Sequence, residues 1–149
     1  MENIFYYKSP IGIFEITVES GKINHIKIVK EEKETANPIN KNIKTQLDEY
    51  FSGKRKSFNL EINPIGTEFQ KKVWKELQKI PYGKTKSYQE IAEAIGNPNA
   101  QRAVGSACNK NSILLIIPCH RVIAKSGALT GFEYGLKAKE YLLKLEKSL

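Results

Sequence analysis

Ser87-Tyr88-Gln89-Glu90-Ile91-Ala92-Glu93-Ala94-Ile95-Gly96-Asn97-Pro98, continued by Asn99-Ala100-Gln101-Arg102-Ala103-Val104-Gly105-Ser106-Ala107-Cys108, carries the local signals on which the fold turns. Ser87-x-x-Glu90 is a capping box, in which each side chain accepts from the other residue's amide. Ile91, Ala92 and Ile95 form an apolar stripe, and Gly96 closes it. Asn97-Pro98 predicts the start of a further helix, with proline at the first helical position, where its missing N–H costs nothing. That helix contains Arg102, Val104, Ala107 and Cys108. Upstream, Thr67-x-x-Gln70 is a second capping box, and Phe69, Val73, Trp74, Leu77 and Ile80 share one face before Pro81-Tyr82-Gly83-Lys84 ends the helix. Three short helices with a tight glycine-bearing connection fit a helix-turn-helix whose third helix is the reader. A generic helical bundle satisfies the same pattern.

Downstream, Ile113-Leu114-Leu115-Ile116-Ile117 is continuously apolar and reads as a buried strand stopped by Pro118. A thiol and an imidazole follow at once, as Cys119 and His120. A thiol with an ordinary pKa near 8.5 needs a partner to take its proton, and the imidazole offers one. The pair alone does not establish catalysis. Residues 137–149 predict a helix with Ala138, Tyr141, Leu142, Leu145 and Leu149 on its apolar stripe. Glu146 falls at the edge of that stripe, in a last turn where the helix dipole disfavours a carboxylate. It needs a partner, and both His120 and Lys147 are candidates. Cys108 reads as a packed helix thiol.

The N-terminal half reads as a small α+β unit with no legible chemistry. Residues 4–7 and 11–18 are strand-like, Ser20-Gly21 turns the chain, and Ile26 and Ile28 alternate again. Residues 31–40 are a polar loop. Ile43, Leu47, Tyr50 and Phe51 recur at helical spacing, and Phe58, Leu60 and Ile62 suggest one more strand. His25 reads as a surface strand residue. Asn63-Pro64-Ile65-Gly66 is the linker candidate, which sets the expected domains at 1–62 and 63–149.

The 149 residues suffice for one modest core or two small ones. No apolar run approaches the roughly 18–20 residues needed to span a bilayer. The start lacks signal-peptide character, and two cysteines make neither a disulfide framework nor a zinc site. A reduced, cytoplasmic setting is the expectation. The charge is lopsided: residues 1–65 carry ten Lys/Arg against nine Asp/Glu, and residues 66–149 carry fourteen against seven. Nearly all of the excess of +8 lies in the half that holds Cys119, as expected of a footprint on a polyanion. Only three arginines stand against twenty-one lysines, so Arg102 and Arg121 each suggest a need for a planar guanidinium.

Residues 67–146 resemble the O6-alkylguanine-DNA alkyltransferases. The resemblance runs in order through Thr67-Glu68-Phe69-Gln70, Val73-Trp74, Ile80-Pro81-Tyr82-Gly83, Ser87-Tyr88, Ile95-Gly96-Asn97-Pro98, Arg102 to Ala107, Asn111 and Pro118-Cys119-His120-Arg121-Val122. It continues through Gly127, Leu129, Gly131, Gly135 and Leu142-Leu143 to Glu146. It implies an N-terminal ribonuclease-H-like α/β domain and a C-terminal winged helix-turn-helix-like domain, together an α+β chain. The implied activity is direct-reversal DNA repair: a single, irreversible transfer of an alkyl group from guanine O6 in duplex DNA to Cys119, with O4-alkylthymine left open as a second substrate.

By the same resemblance, Cys119 is nucleophile and alkyl acceptor, His120 takes its proton through a water, and Glu146 orients the imidazole. Asn111 braces the turn, and Tyr88 hydrogen-bonds the extruded base and helps to protonate it. Arg102 fills the stack that the base vacates, with Ser87, Tyr88, Ala103 and Gly105 against DNA. Val122, Phe132, Glu133, Tyr134 and Gly135 line the pocket, while Arg121 braces the turn. Ser112 stands where the family generally has proline, and Phe132 where it often has tyrosine; both bear on which alkyl groups are accepted. The resemblance implies no cofactor, no metal, no membrane, no obligatory protein partner and a monomer. A DNA-binding regulator without transfer, and a turning-over cysteine hydrolase, are the alternatives.

Overall fold

Runs of Ile, Phe, Tyr and Val punctuated by Pro10-Ile11 and Ser20-Gly21 fold as a three-stranded antiparallel meander: β1 (Glu2–Ser9), β2 (Gly12–Glu19) and β3 (Lys22–Val29). This computed structural model describes residues 2–34, 36–129, 132 and 134–148. Ser20 and Gly21 both sit at positive φ, which suits a tight two-residue hairpin. One register shift, between Thr17 and Val18, bulges the β2–β3 ladder. Phe14, Ile16 and Ile26 are fully buried, as are Leu47 and Tyr50 of α1 (Lys41–Phe51). The rings of Tyr7, Phe14 and Phe51 cluster with centroids 5.9 to 6.2 Å apart. Polar groups close in pairs: Tyr6 donates to Glu15 (2.9 Å), Tyr7 to Asp48 (2.7 Å), and Gln46 clamps the backbone of Asn59 through both amide atoms (2.8 and 3.1 Å). His25 is a half-buried strand residue beside Asn24.

The expected strand over Phe58–Ile62 does not form. Only Ile62 pairs, in one parallel bridge to Ile23, because Asn59 is engaged by the Gln46 side chain instead of a ladder. The chain divides into two units, residues 1–65 and 66–149.

In the second unit both capping boxes are present with both reciprocal bonds. They open α2 (Glu68–Leu77) at Thr67 and α3 (Tyr88–Ala94) at Ser87. Gly96, at φ +80°, ends α3, and the Asn97 amide returns to the Ala92 carbonyl. Asn97-Pro98 does not begin the next helix. These residues form a turn in which the Ala100 amide donates to the Asn97 carbonyl, and α4 spans Gln101–Asn109 with Ala100 as an uncapped start. Trp74 Nε1 donates to the Ala107 carbonyl (2.8 Å), which ties α2 to α4. Gly66 lets the backbone lie on that indole: a Cβ there would come within 2.5 Å of the ring.

The apolar run 113–117 is not a strand. Leu115 takes φ +76°, the Ile116 amide bonds the Leu114 carbonyl, and the Ile117 amide bonds the Ile113 carbonyl, so the run curls into a compact buried turn. Five apolar residues in a row show only that all are buried; they carry no period that separates strand from turn. After Pro118 come a 3₁₀ turn (Cys119–Arg121) and a two-residue strand β5 (Val122–Ile123), parallel to β4 (Lys86–Ser87). The C-terminal helix, α5, spans Leu136–Leu145, shorter than the expected 137–149. Its buried face is Ala138, Lys139, Leu142 and Leu143. Tyr141, expected on the stripe, is exposed, and Leu145 is half-buried. Leu149, Gly131 and Glu133 lie outside the described residues.

Candidate active site

Asn111 follows α4 and organises the buried turn. Its Oδ1 accepts from the Ile113 amide (2.9 Å), and its Nδ2 donates to the Ile117 carbonyl (2.7 Å) and to Cys119 Sγ (3.2 Å). A donor on sulfur favours thiolate over thiol. Cys119 is buried, its amide bonded to the Ile117 carbonyl at 2.8 Å.

His120 is wholly buried, with Nε2 2.9 Å from Glu146 Oε2. Glu146 caps the C-terminus of α5 and is itself buried, more deeply than a stripe-edge position suggests. Its partners are His120 and Arg121; Arg121 Nε reaches Oε1 at 2.8 Å and Nη2 reaches Oε2 at 3.0 Å. An ionised carboxylate only accepts hydrogen bonds, so Nε2 carries the imidazole proton and Nδ1 presents the lone pair. Nδ1 is buried with no hydrogen-bond partner among the described residues. Burial holds His120 below the ordinary histidine pKa; Glu146 opposes this, and Arg121 and Lys139 add to it. Burial, Arg121 and Lys139 thus all favour the neutral imidazole, against Glu146.

Lys139 escaped sequence reasoning. It is the only buried lysine among the described residues; Nζ donates to the Val122 carbonyl (2.6 Å) and lies 6.0 Å from the centroid of the Tyr88 ring. Burial lowers its pKa, and Cys119 and Cys108 oppose that. The available signal was its spacing, three and four residues before Leu142 and Leu143, inside the apolar face. Burial, followed by the proximity of Cys119, raises the pKa of Cys108, which marks it as an inert thiol.

The other expected residues fall on α3 and its cap, on α4, on β5 and on the loop before α5. Ser87 is the N-cap of α3, with its hydroxyl accepting from the Glu90 amide (3.0 Å), and Tyr88 is the first helical residue. A Cβ at Gly105 of α4 would lie 3.8 Å from the Tyr88 ring. Arg102 and Ala103 are exposed on α4. Val122 is buried, Phe132 packs edge-on to Tyr134 (6.0 Å), and Gly135 caps α5 at φ +97°. No helix among the described residues is long and apolar enough to cross a membrane, and no cluster of His, Cys, Asp or Glu there could hold a metal.

Residues 68–148 match the 6-O-methylguanine DNA methyltransferase DNA-binding domain, and residues 5–64 match the ribonuclease-like domain of the same proteins. The chain belongs to the 6-O-methylguanine DNA methyltransferase family. It is 45% identical over 150 residues to the methylated-DNA–protein-cysteine methyltransferase of Methanosarcina acetivorans, covering 95% of this chain and 96% of the relative. The crystal structure of Mycobacterium tuberculosis O6-methylguanine methyltransferase superposes with a TM-score of 0.89 at 41% identity, covering 99% of this chain and 94% of that one. A second structure, of Mycobacterium tuberculosis OGT in complex with DNA, gives 0.87 at 41% identity, covering 99% and 92%. Within the methyltransferase family, then, the Asn111–Cys119–His120–Glu146 constellation belongs to the domain matched as DNA-binding.

Proposed function

We propose that this protein is a DNA-repair methyltransferase that moves the alkyl group of O6-alkylguanine in duplex DNA onto its own Cys119, once per molecule. The observation that carries this reading is the pairing of a sulfur that accepts from Asn111 (3.2 Å) with an imidazole held by Glu146 (2.9 Å). The proton of the thiol passes, through one bridging water, to Nδ1 of His120. Sulfur then attacks the alkyl carbon in line; the S–C bond forms as the C–O6 bond breaks, and the electron pair leaves with guanine. A proton delivered at the base, with the Tyr88 hydroxyl as its donor, completes a neutral guanine. The thioether is stable, so turnover ends there.

The substituent on O6 lies against the base stack, beyond reach of a buried thiol, so the nucleotide must leave the duplex first. Arg102 is exposed on α4 and suits insertion into the gap. The lysine-rich second unit supplies sequence-independent attraction to phosphates. The protein acts as a cytoplasmic monomer, with no cofactor and no metal.

Incubation with duplex DNA carrying O6-methylguanine, followed by peptide mass measurement, tests the reading. The expected result is one added methylene on the peptide containing Cys119, at no more than one equivalent. Sustained turnover, or label on Cys108, overturns it.

A further inference from the structure

Glu146 serves two partners unequally. Arg121 holds it with a two-pronged fork, Nε to Oε1 at 2.8 Å and Nη2 to Oε2 at 3.0 Å, while His120 shares only Oε2, at 2.9 Å. The guanidinium is fixed from outside the pair as well. Its Nη1 donates to the Ile80 carbonyl (2.7 Å), and its Cζ lies 5.9 Å from the centroid of the Tyr82 ring. The Tyr82 hydroxyl in turn donates to the Leu145 carbonyl (3.2 Å), one residue before Glu146. A brace for the turn would need only one of these contacts. Together they aim a permanent charge at the one carboxylate against the imidazole.

That charge decides where a proton rests. A buried carboxylate facing an imidazole alone draws a proton onto it and forms an ion pair. A carboxylate already matched by a guanidinium has no such need, because a proton on the imidazole would place two cations on one anion in a buried site. The charged and titratable groups support this count: Glu146 and Lys139 from α5 and Arg121 and Cys119 from its own turn lie about His120, and Tyr82 from the α2–β4 connection lies against Arg121. Only Glu146 favours imidazolium.

We propose that Arg121 is a positioning residue of the relay: by matching the charge of Glu146 it keeps His120 neutral, with its proton on Nε2 and Nδ1 open to take the proton of Cys119 at neutral pH. This rests on the reading of His120 as the proton acceptor. Arg121 touches neither substrate nor the reacting sulfur; it sets the protonation state of the group that does. The step it prepares is the passage of the Sγ proton, relayed by the bridging water, to Nδ1, with no bond between heavy atoms changed.

The chain has two histidines, so ring-nitrogen chemical shifts of the uniformly labelled full-length protein, without DNA, resolve both, and His25→Gln assigns them. Wild-type His120 should be in the neutral Nε2–H form at pH 7. Arg121→Met should move its titration to higher pH, and the ratio of transfer rates at pH 6 and pH 8 should fall below that of wild type. Arg121→Lys, which keeps the charge but not the fork, should restore the wild-type titration more completely than it restores the rate. An imidazolium in wild type at pH 7 overturns the proposal even if no variant folds. So does an Arg121→Met protein that folds and titrates like wild type with a slower, pH-independent rate, since that describes a strut. The spectra need no DNA, so a failure of Cys119 to accept a methyl group would be seen separately.

Discussion

The two units bury different things. In the first, the buried polar side chains are Glu15, Thr17, Asn24 and Gln46, set among aromatic rings and closed in short pairs such as Gln46 with Asn59. In the second, the buried polar set is Asn111, His120, Arg121, Lys139 and Glu146, four of them ionisable. Buried ion pairs stabilise little, because desolvation offsets the attraction, and apolar replacements of equal volume are often more stable. The first arrangement is explained by packing. The second fits the chemistry proposed for it, and the two should divide under mutation: first-unit changes alter stability and spare the transfer rate per folded molecule, and second-unit changes alter that rate.

The largest expected effect is at Cys119. Cys119→Ser should abolish transfer entirely and leave DNA affinity within twofold of wild type, as read by anisotropy on an O6-methylguanine duplex. Residual methylation elsewhere in the chain would mean that the contrast has been drawn around the wrong residue. Next comes a matched pair. Glu146→Gln should slow transfer on the order of a hundredfold, in the range for loss of a positioned acid–base group. Gln46→Ala strands the Asn59 backbone groups it now satisfies and should destabilise the first unit by about 1–3 kcal/mol, with an unchanged rate per folded molecule. If the two variants exchanged these phenotypes, the division would be false.

Lys139→Met keeps the side chain's length and removes the only buried ammonium among the described residues. Transfer should slow about tenfold while the melting temperature holds or rises, since losing a desolvated charge offsets losing its bond to the Val122 carbonyl. Single-turnover rates and Trp74 fluorescence melts check both halves. A lower melting temperature with an unaltered rate would move Lys139 to the structural side.

What was legible in the sequence follows the range of the interactions. Thr67/Gln70 and Ser87/Glu90 each close a capping box over three residues, so two helix starts could be read locally and were found there. Asn97-Pro98 misled because a proline that opens a helix and one that turns a loop look alike until the backbone bonds are known. The run 113–117 misled because its conformation is imposed by Asn111, whose amide replaces the ladder a strand would need. Glu146 was legible as a carboxylate needing a partner. Its sharing between His120 and Arg121 was not, because those residues lie 26 and 25 positions away. Lys139 shows the same limit: a lysine on an apolar face reads as an error of phase until the carbonyl it meets is known.

The smallest expected effect is in the pH dependence of stability, and it too should separate the units. His120 is buried and held below the ordinary histidine pKa, first by burial. Below about pH 6.5 an unfolded chain takes up a proton at this residue and the folded chain does not. The unfolded state then binds more protons, so stability falls as the pH drops from about 6.5 toward the folded pKa, and is flat with respect to this group above it. One such group contributes at most about 1.4 kcal/mol per pH unit. Urea melts at pH 7.5, 6.5 and 5.5 read the second unit directly, because the sole tryptophan, Trp74, lies in it. Wild type should lose stability between the last two points, His25→Gln should lose as much, and His120→Gln should lose less. If His120→Gln keeps the wild-type slope, acid destabilisation arises elsewhere; if wild type gains stability on acidification, His120 is charged in the folded state and the neutral base assigned to it does not exist.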